Sequence, residues 1–292
     1  MNRLRIKELN SLLKFHSHKI RVSFFQFFVI LFSSIWLIAC EDVSTGEKVN
    51  NVEKQKPTIK KKETPLIEYA KPKTKEKKPK NPITDQNVTN RLIAYGKENP
   101  ETLVDIYTSK GKIRARLYKD TPLHRANFIM MSKKGFLNGS VFTRAVMGFI
   151  AQSGGTFDED HAKIRQNIGS YTIPSEMSKR RYHKKGALAA SRKYGNNPDK
   201  RSDPYAFYFV EGQVYNAPTL DVHERNYEYK YSKTQRDYYM KYPGAAHLDG
   251  QHTVFGEIIS GNKVVSKITE VETDSRDWPK TDLFIDSVIV IR

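Results

Sequence analysis

Arg144, Phe149 and Gln152 stand five and three residues apart in the stretch 141–156, which holds no acid, cysteine or histidine. Their types offer a cationic hydrogen-bond donor, an aromatic face and an amide. Taken singly, each has an ordinary explanation: an arginine in a strand is usually a solvated charge, and a phenylalanine is usually core. Only their mutual spacing, and what the rest of the chain sets around them, gives them weight. The single cysteine, Cys40, excludes an internal disulfide framework and any multi-thiolate metal site.

The elements that must position these residues are short. Thr84 and Asp85 offer an N-cap, and Val88, Leu92, Ile93 and Tyr95 share a helical face before Gly96 and Pro100 stop it, so a helix is expected over 84–98. Residues 102–108 and 112–118 read as two strands about a Ser109-Lys110-Gly111 turn. Thr121-Pro122 opens a helix that Gly135 closes, with Ala126, Ile129 and Met130 inward. Short apolar runs follow at 140–146, 149–152, 187–191, 206–210, 253–259 and 283–291, with one more helix near 262–269. Eight short strands, two interspersed helices and no regular β-α alternation predict a mainly β fold: a closed eight-stranded barrel capped by two helices, with an extra N-terminal helix and a helical insertion. Strand alternation assigns Phe142 and Phe207 to the core.

The chain has 292 residues, of which 38% are hydrophobic, 28% charged and 11% aromatic, so part of it folds around a core. Its formal charge of +18 raises the question of a polyanionic partner. More than half of that excess precedes residue 84, outside the expected folded domain, which weakens a nucleic-acid reading. Residues 1–39 carry a basic start, Arg3 to Arg21, and then an uncharged, mostly apolar run from Val22 to Ala39. This is the layout of a secretory signal; an uncleaved signal anchor is the alternative. Leu37-Ile38-Ala39-Cys40 resembles the bacterial lipobox, whose cysteine is lipidated and becomes the first mature residue. That resemblance implies a protein of the cell envelope, anchored to a bacterial lipid bilayer through Cys40. Residues 40–83 are rich in Lys and Pro and poor in large apolar residues, which predicts a disordered, solvated tether, with a polybasic grip on anionic headgroups as the alternative.

The stretch around Arg144 resembles the signature of the cyclophilin peptidyl-prolyl isomerases, Phe-His-Arg-x-x-x-x-Phe-x-x-Gln-x-Gly. Three further blocks occur in the family's order: Thr121-Pro122 with Asn127-Phe128, Gly186-Ala187-Leu188-Ala189-Ala190-Ser191, and Leu248-Asp249-Gly250-Gln251-His252-Thr253-Val254-Phe255-Gly256. The resemblance covers roughly residues 100–292. It implies cis-trans isomerisation of Xaa-Pro bonds, without cofactor or metal, in Pro-containing polypeptide clients. It makes Arg144 and Gln152 the catalytic pair, Arg144 donating to the prolyl amide and Gln152 holding Arg144 or the substrate backbone. Phe149, Ile150, Tyr208 and Leu248 would form the proline cup, His252 its wall, and Ser191, Arg192, Ala206 and His247 further substrate contacts. The domain would span 99–292, work as a monomer and bind no nucleic acid.

Several positions depart from the family. Thr143 stands for His, His247 for an aromatic, Tyr205-Ala206-Phe207 for Ser-Gln-Phe, and Ser191-Arg192 for Ala-Asn. Ala206 cannot supply the amide expected to orient the substrate. The alternative function is therefore a weakly active or inactive module of the same fold that binds Pro-containing segments of envelope proteins. An insertion at 215–246, rich in Tyr and charge, is expected to be helical from Leu220 to Tyr242 and to pack its tyrosines on the barrel, with a client platform as the alternative.

Overall fold

A computed structural model describes residues 82–155 and 159–291. The signal, Cys40 and nearly all of the tether lie outside the described residues. The described chain begins inside ordered structure. Ile83 is buried, and Ile83–Thr84 (β1) pairs in parallel with Gly169–Ser170 (β6), so the boundary drawn between 83 and 84 cuts a strand.

Helix α1 (Val88–Glu98) follows, starting later than expected. Its N-cap is Asn87, whose Oδ1 accepts the N–H of Thr84 at 2.9 Å. Asp85, the expected cap, instead accepts from the N–H and hydroxyl of Thr172, at 2.7 and 2.9 Å. Strands β2 (Leu103–Thr108) and β3 (Gly111–Leu117) form the first hairpin. Helix α2 (Pro122–Lys133) is buried from Leu123 to Ser132, because α1 covers the side that the barrel does not. The N–H groups of Leu123 and His124 donate to the two oxygens of Glu176, each at 3.0 Å, an anion where the helix dipole favours one.

Strands β4 (Ser140–Val146), β5 (Ile150–Gly155), β7 (Ala187–Ala190), β8 (Phe207–Val210), β9 (Val254–Ser260) and β10 (Phe284–Val290) complete the barrel. It is closed, in the order β10-β2-β3-β9-β7-β8-β5-β4, and every neighbouring pair is antiparallel. Phe142 and Phe207 lie inside it among Ile106, Ile129 and Leu188. A helix not foreseen from the sequence, α3 (Glu159–Ile168), precedes β6, and the last helix, α6 (Asn262–Thr269), buries Val265 and Ile268.

The insertion is two helices rather than one, α4 (Ala217–Asn226) and α5 (Lys233–Lys241). Each has its own start signal. Asn216 accepts the N–H of Thr219, and Ser232 and Gln235 close a reciprocal capping box, with the Ser232 N–H donating to Gln235 Oε1 at 2.8 Å. The ends of the insertion are stapled by paired bonds between Gln213 and Gly244, of 2.9 and 3.0 Å. Gly212, with φ of +74°, passes so close that a Cβ there would lie 2.4 Å from Gly244 Cα. Tyr215, Tyr231 and Tyr239 are buried with Leu220 and Ala246 in a cluster made of the insertion's own residues rather than on the barrel strands, whereas Tyr227 and Tyr242 stay exposed.

Candidate active site

Arg144 reaches the outside of the barrel because of a bulge. Along β4 and β5, Phe142 faces Ser153 and Arg144 faces Gln152, so Thr143 is one residue too many for the ladder. Residues two apart on a regular strand share a face. The extra residue breaks that rule, leaving Phe142 in the core and Arg144 on the opposite side, level with Gln152. Thr143 packs its methyl over Gly155, where a Cβ would lie 2.3 Å from it.

The β4–β5 turn then brings Phe149 beneath the arginine, with the guanidinium carbon 5.5 Å from the ring centroid. The turn is pinned by Glu211, whose carboxylate accepts from the N–H of Gly148 at 3.0 Å and from the Thr269 hydroxyl. Burial works to raise the pKa of Glu211, but these bonds outweigh it and hold the group ionised below its usual range. On its other side Phe149 meets the His247 ring at 4.9 Å. Ile150, Tyr208 and Leu248 form one buried apolar cluster with Ala189 and Val254, and Phe149 packs on its edge.

His252 and Tyr208 have their polar atoms engaged. His252 donates Nδ1–H to the Ala190 carbonyl at 3.1 Å, so its Nε2 accepts the Tyr194 hydroxyl at 2.8 Å. Burial, reinforced by His183, Arg192 and His247 and only partly opposed by the bond to the Ala190 carbonyl, brings its pKa down to about 3, and burial with His223, His183 and Arg144 brings His247 to about 4. Both rings are therefore neutral at neutral pH and serve as apolar wall. Behind Tyr208, His183 Nε2 lies 3.0 Å from the phenol oxygen, and His183 Nδ1 lies 2.7 Å from Asp249 Oδ1. Gln235 and Tyr239, from the insertion, donate to Asp249 Oδ2 at 3.0 and 2.8 Å.

The remaining expected contacts lie on the rim. The Ser191 N–H donates to the Ala206 carbonyl at 3.0 Å, and the Ser191 carbonyl accepts from Asp203 at 2.8 Å, so its backbone is spent within the barrel. Arg192 donates to the Gln251 carbonyl at 2.6 Å and stacks 4.1 Å from the Tyr194 ring centroid. Ala206 is half-buried beside Gly154. The guanidinium of Arg144 is held by Asp277, whose Oδ2 accepts from Nε and Nη2, each at 2.9 Å. Asp277, Tyr194, His183 and Asp249 were absent from the sequence reading of the site. Asp249 belongs to the family-like stretch 248–256; no local signal marks the other three.

This set, a donor over an aromatic ring beside an apolar cup, coincides with a family match. Residues 103–290 match the model described as cyclophilin type peptidyl-prolyl cis-trans isomerase/CLD, and the chain belongs to that family. It is 27% identical over 192 residues to a peptidyl-prolyl cis-trans isomerase of Acinetobacter baylyi, covering 64% of this chain and 84% of that one. It is 25% identical over 196 residues to peptidyl-prolyl cis-trans isomerase-like 2 of Rhizopus delemar, covering 66% and 30%. The chain thus spans less than a third of the Rhizopus protein, and 38% of a longer Streptococcus pyogenes relative. Among solved structures, a cyclophilin type isomerase of Cryptosporidium parvum aligns with a TM-score of 0.47 at 18% identity, covering 66% of this chain and 98% of that one.

Proposed function

We propose that this chain accelerates cis-trans isomerisation of Xaa-Pro bonds in polypeptides. The observation that carries the reading is the Arg144 guanidinium held over Phe149 beside the Ile150, Tyr208 and Leu248 wall. An amide resists rotation by about 20 kcal/mol because its C–N bond has partial double-bond character. Twisting it returns a lone pair to the prolyl nitrogen, and a guanidinium N–H can donate to that lone pair only in the twisted state. Donation of this kind stabilises the transition state and not the planar ground state. The apolar cup holds the pyrrolidine ring and keeps water from the donor. No bond is made or broken, so no nucleophile is required. Turnover of an Xaa-Pro peptide by the full chain tests this, and a rate at the uncatalysed background would refute it.

The clients are proteins folding outside the cytoplasm, reached from a bilayer to which Cys40 anchors the chain. The support is the basic start, the apolar run and the lipobox-like residues 37–40. Metabolic labelling with palmitate tests it: the label should appear in the native chain and vanish in Cys40→Ala, and an unmodified Cys40 on the mature protein would refute it.

Ala206 and Ser191 favour a second reading. The first lacks a side-chain donor and the second has its backbone committed to Ala206 and Asp203, which suits a domain that grips Pro-containing segments and turns them over slowly. Binding of such a peptide without acceleration would favour it.

A further inference from the structure

The connection between α6 and β10 folds into a narrow hairpin. Thr273 bridges Pro279, the N–H of Asp274 donates to the Trp278 carbonyl at 2.8 Å, and the N–H of Lys280 donates to the Glu272 carbonyl at 2.9 Å. The tip is tied from within, because Asp274 Oδ1 accepts the N–H groups of Arg276 and Trp278 at 2.8 and 2.9 Å. Asp277 sits in this tip with φ of +65°, in the left-handed region where Asp and Asn are among the few side chains tolerated. Its N–H donates to the Asp274 carbonyl at 3.1 Å, and its own carbonyl accepts the N–H of Ala145 at 2.9 Å. The hairpin is thereby fastened to β4 at the residue next to Arg144. From that fixed backbone the carboxylate takes Nε–H and Nη2–H of Arg144 on a single oxygen, both at 2.9 Å.

We infer that Asp277 is a positioning residue for Arg144. The arginine side chain is 41% exposed, and a long side chain so placed has many rotamers open to it. Two restraints remove them: the Phe149 ring on one side and the Asp277 carboxylate along the Nε and Nη2 edge. The Nη1 group lies on the part of the guanidinium that this carboxylate does not take, and stays available to an acceptor bound against Phe149. The unusual backbone of Asp277 and its tie to Ala145 make the restraint stiff, since the carboxylate is delivered from an anchored tip and not from a mobile loop. The inference rests on reading Arg144 as the donor to the prolyl amide.

The test uses the full chain with Asp277→Asn and Asp277→Gly, both compatible with the left-handed backbone. Turnover of an Xaa-Pro peptide should fall about two- to fivefold in each, the factor that loss of an exposed ion pair corresponds to at its upper range. Peptide affinity should change less than twofold. The Nε–H resonance of Arg144 should shift and exchange faster with solvent, which a purely structural role would not produce. On an Arg144→Ala background, Asp277→Asn should cost nothing further. Unchanged or increased turnover in both variants would overturn the inference, as would a loss of the same size without Arg144. Wild-type turnover in Arg144→Ala would instead refute the donor assignment, so the two failures are distinguishable. If Asp277→Asn melts early, Asp277→Gly carries the test.

Discussion

Tyr208 presents its ring to the cup and its hydroxyl, 3.0 Å away, to Nε2 of the buried His183. Through His183 and Asp249 the wall of the cup is joined to Gln235 and Tyr239 on α5, so the inserted helices bear on the site without lining its floor.

Tyr239→Phe removes one of the donors to a buried carboxylate while keeping the ring that packs against Tyr215 and Tyr231. Gln235 still donates to the same oxygen, so what is lost is one hydrogen bond, worth about 0.5 to 1.5 kcal/mol net. Chemical denaturation should show a loss of that size. Turnover should fall with it if the His183 bond to Tyr208 loosens. A variant as stable as the parent would show that Asp249 is satisfied without Tyr239.

Arg144→Ala should lower turnover by about 10² to 10³, since removing one preorganised transition-state donor costs about 3 to 4 kcal/mol. The fold should persist, because the side chain lies outside the barrel, on Phe149 and Asp277. Peptide turnover and a melting curve on the same sample check both halves.

Ala206→Gln should raise turnover about 2- to 12-fold by restoring a side-chain hydrogen bond worth about 0.5 to 1.5 kcal/mol. Affinity that rises while turnover stays at background would favour the binding module. No change in either would show that position 206 does not reach the substrate.

His247 and His252 make stability depend on acid. Their folded pKa values, about 4 and about 3, lie below the usual 6.5, so between those limits the unfolded chain binds protons that the folded chain refuses. Stability is then complete above about pH 6.5 and is lost as pH falls toward 4 for His247 and toward 3 for His252. From pH 7 to 5 each should contribute a loss of about 2 kcal/mol. Denaturant midpoints across this range check the slope, and His247→Trp, which keeps an aromatic ring against Phe149, should remove its share.

Much of this molecule was legible because its information is local. Eight apolar runs with turn residues between them announced a barrel, and the fifth and third spacings of Arg144, Phe149 and Gln152 follow the course of a single hairpin. The capping box at Ser232 and Gln235 was equally local, and reading it would have divided the insertion into its two helices. Other features have no local trace. The bulge at Thr143, which separates the faces of Phe142 and Arg144, is visible only once β5 lies beside β4. Asp277 meets Arg144 across 133 residues, and His183 meets Asp249 across 66. The types and spacing of the site residues were thus determined by the sequence alone. Which polar groups hold them was decided by closure of the barrel, because hydrogen bonds act over about 3 Å and only tertiary packing brings such distant residues that close.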